Sequence, residues 1–504
     1  MVFFKAVDKR IFFLSLFLVL LFLGILISNS EKNIAIVDYL LQWSSYNLGW
    51  MYLWLNAICF SLSAWLGFGP YGKIKFGGPE AKPDFSKLSW VSMLFCTAVG
   101  GCIIYWGAIE WVYYYNDPPF RMPARSDEAA EWAMTYGLFH WGPSAWAFFC
   151  IPAICLSYYF FNMKSEDIKL SRVYQPIFSF SLKGHILADL IDTLFLIGLL
   201  SAACVSLGLG APIVGGMLEL LWGTPIPQVQ MLVVLLWTCV FSVSVYLGLH
   251  RGIKALSQLN IFFALILAIT LLLVGDMVFL ASSFTQSIGL LSQNFLKMSF
   301  YTDAISQSGF PQERTMYLWA WWISYAPLMA VFVAKISKGR TIKDLVVGHL
   351  ILSPLGAWLA FILLGNNALY MELHSIAPIA QTLADAGEAK ALMLFLQNLP
   401  LGSFVLVLFI VVLFIFLATT VDSSAFVIAC MATKSISAHS QPARWHRLFW
   451  ALVLGSISLV LIQLDALELL QKSILLTAIP LLALMGMMIY SLFTMLKEEK
   501  GEAP

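Results

Sequence analysis

The sequence predicts an all-α integral membrane protein with twelve transmembrane helices. Of its 504 residues, 60% are hydrophobic and only 11% are charged, whereas soluble globular domains carry about 25% charged residues. Many apolar runs are long enough to cross about 30 Å of hydrocarbon as helices. The formal net charge of +1 excludes a strongly basic nucleic-acid-binding surface. We therefore expect membrane lipid around the chain and no nucleic-acid partner.

Twelve apolar runs define the predicted spans. The first, residues 11–28, is followed by no small-residue cleavage site and is interpreted as a retained helix. The others lie near residues 49–67, 90–115, 133–161, 186–208, 228–249, 256–281, 315–337, 344–366, 402–432, 447–464 and 471–496.

The positive charges of the connecting loops support this count, because Lys and Arg collect on the cytoplasmic side of short loops. With the N-terminus placed in the cytoplasm, the large majority of the 29 Lys and Arg residues fall on the cytoplasmic side. If one span were missed or added, every later loop would change sides and the excess of Lys and Arg in cytoplasmic loops would be lost. The pattern predicts that both termini are cytoplasmic.

Polar and helix-breaking residues inside spans are costly in lipid and therefore indicate cavities. The third span contains Gly100, Gly101, Trp106, Glu110 and Tyr113, and the last three lie within about 40° of one another at 100° per residue. The two glycines and Glu110 are structural or gating candidates. Close helix packing at the glycines and a structural hydrogen bond at Glu110 are the competing interpretation.

Two further spans concentrate aromatic side chains beside helix breaks. Pro327 removes a backbone hydrogen bond within the eighth span, and a Gly-Pro pair interrupts the fourth. An interfacial aromatic belt is the alternative, but aromatic faces without acidic clusters favour a cage for a quaternary ammonium group, which has no hydrogen-bond donor. The aromatic residues are Trp319, Trp321, Trp322, Tyr325, Trp141, Trp146 and Phe149, with Met329 on the same stripe.

The tenth span holds hydroxyl groups between two apolar runs, at Thr419, Thr420, Ser423 and Ser424, together with Asp422. Oxygen ligands in an interrupted helix suit a dehydrated sodium ion. The alternative is that these hydroxyls bond back to carbonyls in the preceding turn. Both interpretations stay open at this stage.

Together these segments resemble the betaine/choline/carnitine transporter family over essentially the whole chain. The family signature stands here as Trp319-Ala320-Trp321-Trp322-Ile323-Ser324-Tyr325-Ala326-Pro327, supported by Tyr105-Trp106-Gly107-Ala108-Ile109-Glu110 and His140-Trp141-Gly142-Pro143. The chain looks most similar to the carnitine/γ-butyrobetaine antiporter branch through Tyr113-Tyr114-Tyr115, Tyr325 and Met329.

The resemblance implies a LeuT-like fold, in which two leading helices precede two inverted five-helix repeats. The corresponding regions are residues 1–89 for the tail and leading helices, 90–281 for the first repeat, and 282–504 for the second repeat and C-terminal tail. It further implies a homotrimer in the cytoplasmic (inner) membrane. The implied activity is secondary active transport by alternating access, so the protein is not expected to be an enzyme or to need a cofactor beyond a possible sodium ion.

Carried over residue by residue, the family's substrate-binding positions are Tyr113, Trp141, Trp321, Trp322, Tyr325 and Met329, with Trp146 and Phe149 in an adjoining aromatic passage. Arg314 stands where the antiporter branch has a further tryptophan at an outer site, so that second site is not carried over. Asn260 stands where that branch has an arginine in place of a sodium ion, and Thr419 and Thr420 resemble the motif of sodium-coupled relatives.

Met329, in contrast to Thr419 and Thr420, favours the sodium-free branch, where its sulfur occupies a former ion position. The sequence therefore supports two coupling modes. One is a sodium symporter with ion-coupling candidates Thr419, Thr420 and Asn260, and the other is a sodium-independent substrate/product antiporter. A channel is the alternative of another class, but neither a carbonyl filter nor rings of charge are visible. The substrate is a trimethylammonium compound such as carnitine, γ-butyrobetaine, glycine betaine or choline.

Overall fold

The computed structural model describes residues 6–28, 30–99, 102–165, 167–178, 186–436, 440–463, 472–473 and 475–499. Over these ranges the chain is helical, and its β pairing consists of two isolated bridges, Val7 with Thr433 and Lys75 with Thr341. The all-α membrane architecture predicted from the sequence is therefore confirmed.

Seventeen helices follow one another along the described part of the chain. Their bounds are α1 Lys9–Ser28, α2 Ser30–Phe68, α3 Lys87–Val99, α4 Cys102–Asn116, α5 Asp127–His140, α6 Pro143–Phe161, α7 Ile186–Trp222, α8 Val229–Leu247, α9 Lys254–Val274, α10 Met277–Ser299, α11 Tyr317–Ile336, α12 Ile342–Leu373, α13 Ile379–Ala386, α14 Glu388–Asn398, α15 Gly402–Met431, α16 Arg444–Gln463 and α17 Ala478–Glu499.

The described residues contain ten helices long and apolar enough to cross a membrane, or eleven if the bent pair α3 and α4 is one span. The predicted count of twelve thus stays a prediction. The predicted third span is two helices whose axes differ by 54°. Gly100 and Gly101, the gating candidates between them, lie outside the described residues.

The fourth span is broken as the Gly-Pro pair predicts. α5 ends at Trp141, which leaves helical geometry at φ −113°. Gly142 then caps α6 and Pro143 occupies its first turn, where the missing N–H of proline costs no helical hydrogen bond. The break turns Trp141 away from the regular helix surface toward α11.

Helix α10 has no counterpart among the predicted spans. Asp276 caps it, because its carboxylate accepts a hydrogen bond of 2.7 Å from the N–H of Phe279. Its buried residues Leu280, Ser287 and Leu291 recur at helical spacing along one face, so α10 is an amphipathic surface helix. Phe295 packs on Phe139 of α5, with ring centroids 6.1 Å apart.

The two ends of helix α15 lie toward opposite faces of the protein. At its C-terminal end, the N–H of Asp8 donates to the carbonyl of Ala432 at 2.9 Å, and the N–H of Lys434 donates to the carbonyl of Ala6 at 2.9 Å. Lys169 also forms an ion pair with Asp8. The N-terminal segment therefore lies on one face, and α14, which precedes the start of α15, lies toward the other.

Candidate functional site

Three tryptophans from α11 and the α5–α6 break face one another inside the bundle. The ring centroid of Trp141 lies 5.4 Å from that of Trp322 and 5.9 Å from that of Trp321. The centroids of Trp321 and Trp322 are 5.8 Å apart. The ring planes are steeply inclined to one another, with interplanar angles of 69°, 55° and 85°. We call this group the tryptophan corner.

Tyr325, one turn beyond Trp321, extends this corner. Its ring centroid lies 4.6 Å from that of Trp321. Its hydroxyl donates to the carbonyl of Ala202 at 3.0 Å and lies 3.1 Å from the Ser206 hydroxyl. These bonds to α7 fix the ring orientation. Met329 is fully buried one further turn along α11.

The predicted aromatic passage adjoins the same corner. Trp322 lies 4.9 Å from Phe149 and 5.6 Å from Trp146, measured between ring centroids. On its other side Trp146 stacks with Phe95 of α3 at 6.2 Å and 11°. Trp322 is therefore a wall shared by the corner and the passage, as the carried-over positions implied.

Glu110 joins the corner through hydrogen bonds. Its buried carboxylate accepts the indole N–H of Trp141 at 2.7 Å and the hydroxyl of Tyr114. The Tyr114 oxygen lies 2.7 Å from Nδ1 of His140, whose Nε2 lies 3.0 Å from the Thr315 hydroxyl. The structural hydrogen bond considered for Glu110 is thus present, and it holds one wall of the tryptophan corner in place.

Tyr113 lies in a separate cavity beside the corner. Its ring contacts Trp106, with centroids 6.0 Å apart, and the guanidinium carbon of Arg314 lies 5.1 Å from its ring centroid. Its hydroxyl donates to Glu388 of α14 at 2.6 Å. These residues line a cavity of about 260 Å³, which we call the vestibule. Glu110 also lines it, so the vestibule adjoins the tryptophan corner.

Glu388 is a vestibule residue that sequence reasoning missed. It is the first residue of α14 and follows Gly387, whose φ is +81°. It lies 275 residues from Tyr113 in sequence, and no motif links the two positions. Burial raises the pKa of the Glu388 carboxyl to about 6, so this group changes charge near that pH.

Other vestibule residues were indicated by the sequence. Trp106, Glu110 and Tyr113 share one helix face, and Arg314 departs from the family pattern. The sequence did not indicate Glu313, Tyr317 and Leu318, which also line the cavity.

The ion-coupling candidates lie in a second region, where α15 meets α3 and α9. The hydroxyls of Thr419 and Thr420 donate to the carbonyl of Phe416 at 2.7 and 3.2 Å, so the back-bonding alternative is present. Thr420 also reaches the carbonyl of Cys96 at 3.4 Å, and the amide of Asn260 donates to the Cys96 sulfur at 3.7 Å. Cys96 thus connects Asn260 with Thr420.

Unused oxygen atoms remain in this region. Within the described residues, Oδ1 of Asn260 is buried without a hydrogen-bond partner. A hydroxyl that donates its hydrogen keeps its lone pairs, so the two threonines can still coordinate a cation. In the same described ranges no group of three His, Cys, Asp or Glu side chains is placed to hold a metal. A sodium ion here would rely on hydroxyl, amide and carbonyl oxygens.

Asp422 ties the same region together. Its fully buried carboxylate accepts hydrogen bonds from Ser244 of α8 and from Ser423 at 3.2 Å. Ser423 in turn accepts the hydroxyl of Thr97 at 3.0 Å. Three helices, α3, α8 and α15, are therefore joined through one hydrogen-bonded network in the bundle.

Comparison with known proteins gives one family. The family model described as betaine/carnitine/choline family transporter matches residues 10–501. The uncharacterized transporter YeaV of Escherichia coli (strain K12) is 33% identical over 449 residues, which are 89% of this chain and 93% of that protein. A solved structure of a Na+-coupled sialic acid symporter, in its substrate-bound outward-open state, matches with a TM-score of 0.45 and 14% identity over 88% of this chain and 85% of that one.

Proposed function

This chain belongs to the betaine/carnitine/choline family of transporters, and we propose that it carries a trimethylammonium compound across the cytoplasmic membrane by alternating access. The observation that supports this most directly is the tryptophan corner, where Trp141, Trp321 and Trp322 present three mutually inclined rings with centroids 5.4 to 5.9 Å apart. Tyr325 adds a fourth aromatic side chain.

The chemistry of this corner suits a cation that has no N–H groups. A trimethylammonium group cannot donate a conventional hydrogen bond, so ring faces hold it by their quadrupoles, at about 0.5 to 2 kcal/mol per face depending on desolvation. The carboxylate of Glu110 lies at the rim of this corner, where it accepts the indole N–H of Trp141 and the hydroxyl of Tyr114. The surfaces of Trp141, Trp321 and Trp322 themselves offer aromatic faces, which suit a cation without N–H groups better than a primary ammonium group.

Alternating access requires elements that can change shape around the bound substrate. The proposed walls stand next to two such places, the α5–α6 break at Trp141 and Gly142 and Pro327 within α11. We propose that motion at these breaks opens the corner toward the vestibule in one state and toward the opposite face in the other. The LeuT-like pair of inverted repeats, residues 90–281 and 282–504, and the homotrimer belong to the same proposal.

We propose coupling to at most one sodium ion, held by Thr419 and Thr420 beside the neutral Asn260. The free oxygen of Asn260 and the lone pairs of the two hydroxyls support this assignment. By the family resemblance, the sulfur of Met329 would fill the other ion position. The rival is sodium-independent exchange of one trimethylammonium compound for another, in which the same oxygens remain structural.

Transport by the purified full-length chain in proteoliposomes tests the proposal. Saturable uptake of radiolabelled γ-butyrobetaine, carnitine, glycine betaine or choline, with counterflow from preloaded vesicles, is expected of a carrier. Uptake that rises linearly with concentration and shows no counterflow would instead identify a channel. Equal uptake in sodium and potassium buffers would establish the exchange mode, and failure to move any of the four compounds would refute the proposed function.

A further inference from the structure

We propose that Arg314 binds the carboxylate of a zwitterionic substrate in the vestibule. This inference rests on the proposed function and narrows it: the preferred substrates are trimethylammonium carboxylates, and trimethylammonium alcohols or esters are disfavoured. It assigns a role to a residue that stands where the antiporter branch has an aromatic side chain.

Arg314 brings a partly exposed guanidinium to the wall of the vestibule. It lies in the turn that leads into α11, and it lines the cavity of about 260 Å³. Its guanidinium carbon lies 5.1 Å from the ring centroid of Tyr113, a cation–π contact that uses none of its N–H groups. These donors can still bind a planar anion such as a carboxylate.

At least one N–H donor of Arg314 has no acceptor among the described residues. Its Nε is buried and has no hydrogen-bond partner within the described part of the chain. The nearest ion pair joins Nη2 to Oδ2 of Asp117 at 3.9 Å, which is too long for a hydrogen bond. Leaving a buried charged donor unmatched is costly, and a ligand carboxylate would satisfy two N–H groups at once.

The remaining vestibule carboxylates do not make the site purely cation-selective. Three carboxylates line the vestibule, those of Glu110, Glu313 and Glu388, together with the guanidinium of Arg314. Glu388 accepts the Tyr113 hydroxyl, and Glu110 accepts hydrogen bonds from Trp141 and Tyr114. A zwitterion finds an opposite charge for each of its two ends in such a cavity, whereas a purely cationic ligand is also repelled by Arg314.

A competing explanation is that Arg314 only holds the Tyr113 ring in place by their cation–π contact. The two roles predict different results for a matched ligand pair. γ-Butyrobetaine and its methyl ester share the trimethylammonium head and the chain length, but only the first carries a carboxylate. A packing role would affect both ligands alike, whereas a carboxylate-binding role affects γ-butyrobetaine alone.

Isothermal titration of the purified full-length protein with both ligands provides the test. Wild type should bind γ-butyrobetaine more tightly than the ester. Arg314→Gln should weaken γ-butyrobetaine binding by roughly ten- to hundredfold, the usual range for loss of a charged hydrogen-bonded pair, and should not weaken binding of the ester. Arg125→Gln is the matched control, because Arg125 is exposed and donates to Asn116 at 2.8 Å; it should alter neither Kd.

Asp117→Asn gives an independent result with the opposite sign. Asp117 attracts the Arg314 guanidinium, so replacing its charge should tighten γ-butyrobetaine binding and should not tighten ester binding. The Asp117 side chain is half-exposed, and Asn keeps its size. Equal affinity of wild type for both ligands, or equal losses of both in Arg314→Gln, would overturn the inference while the proposed transport function stands. Wild type that binds neither ligand would also overturn the inference, and the proposed function is refuted only if all four compounds fail in the uptake assay.

Discussion

Replacing Trp322 by alanine removes the most connected wall of the proposed binding site. Its ring centroid lies 4.9 to 5.8 Å from those of Phe149, Trp141, Trp146 and Trp321. The substitution removes one aromatic face from the cation and also leaves neighbouring rings free to shift. Both effects should weaken binding of a trimethylammonium compound.

The two effects differ in magnitude and must be measured separately. Loss of one desolvated face costs about 0.5 to 2 kcal/mol of binding free energy, which is roughly a 2- to 30-fold rise in Kd. A buried tryptophan truncated to alanine typically lowers the free energy of unfolding by about 3 to 5 kcal/mol. Trp322→Phe, which keeps a ring, should retain more of the affinity than Trp322→Ala.

Trp237→Ala is the matched control for the stability loss. Trp237 is also fully buried, donates its indole N–H to the carbonyl of Phe414 at 2.9 Å and stacks on the Phe414 ring at 5.2 Å. Titration calorimetry should show a raised Kd for Trp322→Ala only, while thermal unfolding in detergent should show both variants destabilised. Wild-type affinity in Trp322→Ala, or equal affinity losses in both variants, would refute the cage.

Three other substitutions test separate parts of the site. Trp141→Phe keeps an aromatic ring but loses the indole N–H that donates to Glu110. The Kd for the substrate should therefore rise several-fold, about the effect of one charge-assisted hydrogen bond. An unchanged Kd would show that this hydrogen bond does not position the Trp141 ring. Changing both Thr419 and Thr420 to alanine should abolish any sodium stimulation of uptake, and sodium stimulation that persists would place the ion elsewhere. Burial raises the pKa of Glu388 from 4.5 to about 6, so the folded protein holds the Glu388 proton more tightly than the unfolded chain does. The protonated carboxyl should therefore stabilise the fold fully below pH 4.5, and this stabilisation should be lost as the pH rises through 6. The melting-temperature difference between wild type and Glu388→Gln should therefore change across that interval, and a constant difference would contradict the shift.

The pattern of residues along the chain was sufficient for the membrane class and for the grouping of aromatic side chains on α11, while their role in binding remains a proposal. Hydrophobic runs and helical periodicity are local properties, because each span must bury its own backbone in lipid and present a continuous apolar surface. The spacing of Trp321, Trp322 and Tyr325 along one helix therefore already indicated a common stripe, and the Gly142-Pro143 pair indicated the break between α5 and α6.

The amphipathic helix α10 was not visible in this way. Polar residues such as Ser283, Thr285 and Gln286 lie among its apolar ones, so the segment is not apolar enough to predict a membrane span. Helix α14 has 11 residues and is too short to cross a bilayer. The surfaces against which both helices pack are visible only in the tertiary structure.

What the sequence by itself determined was the type of protein and the aromatic residues that α11 and the α5–α6 break carry, whereas the tertiary structure decided which side chains share a cavity. Trp141 meets Trp321 because the chain breaks at Gly142, and Tyr113 meets Arg314 and Glu388 instead of the tryptophan corner. Contacts between distant segments depend on how helices bend and pack, as the 54° change between α3 and α4 shows. Residue spacing within one helix carries no information about those angles, so the vestibule could be found only in three dimensions.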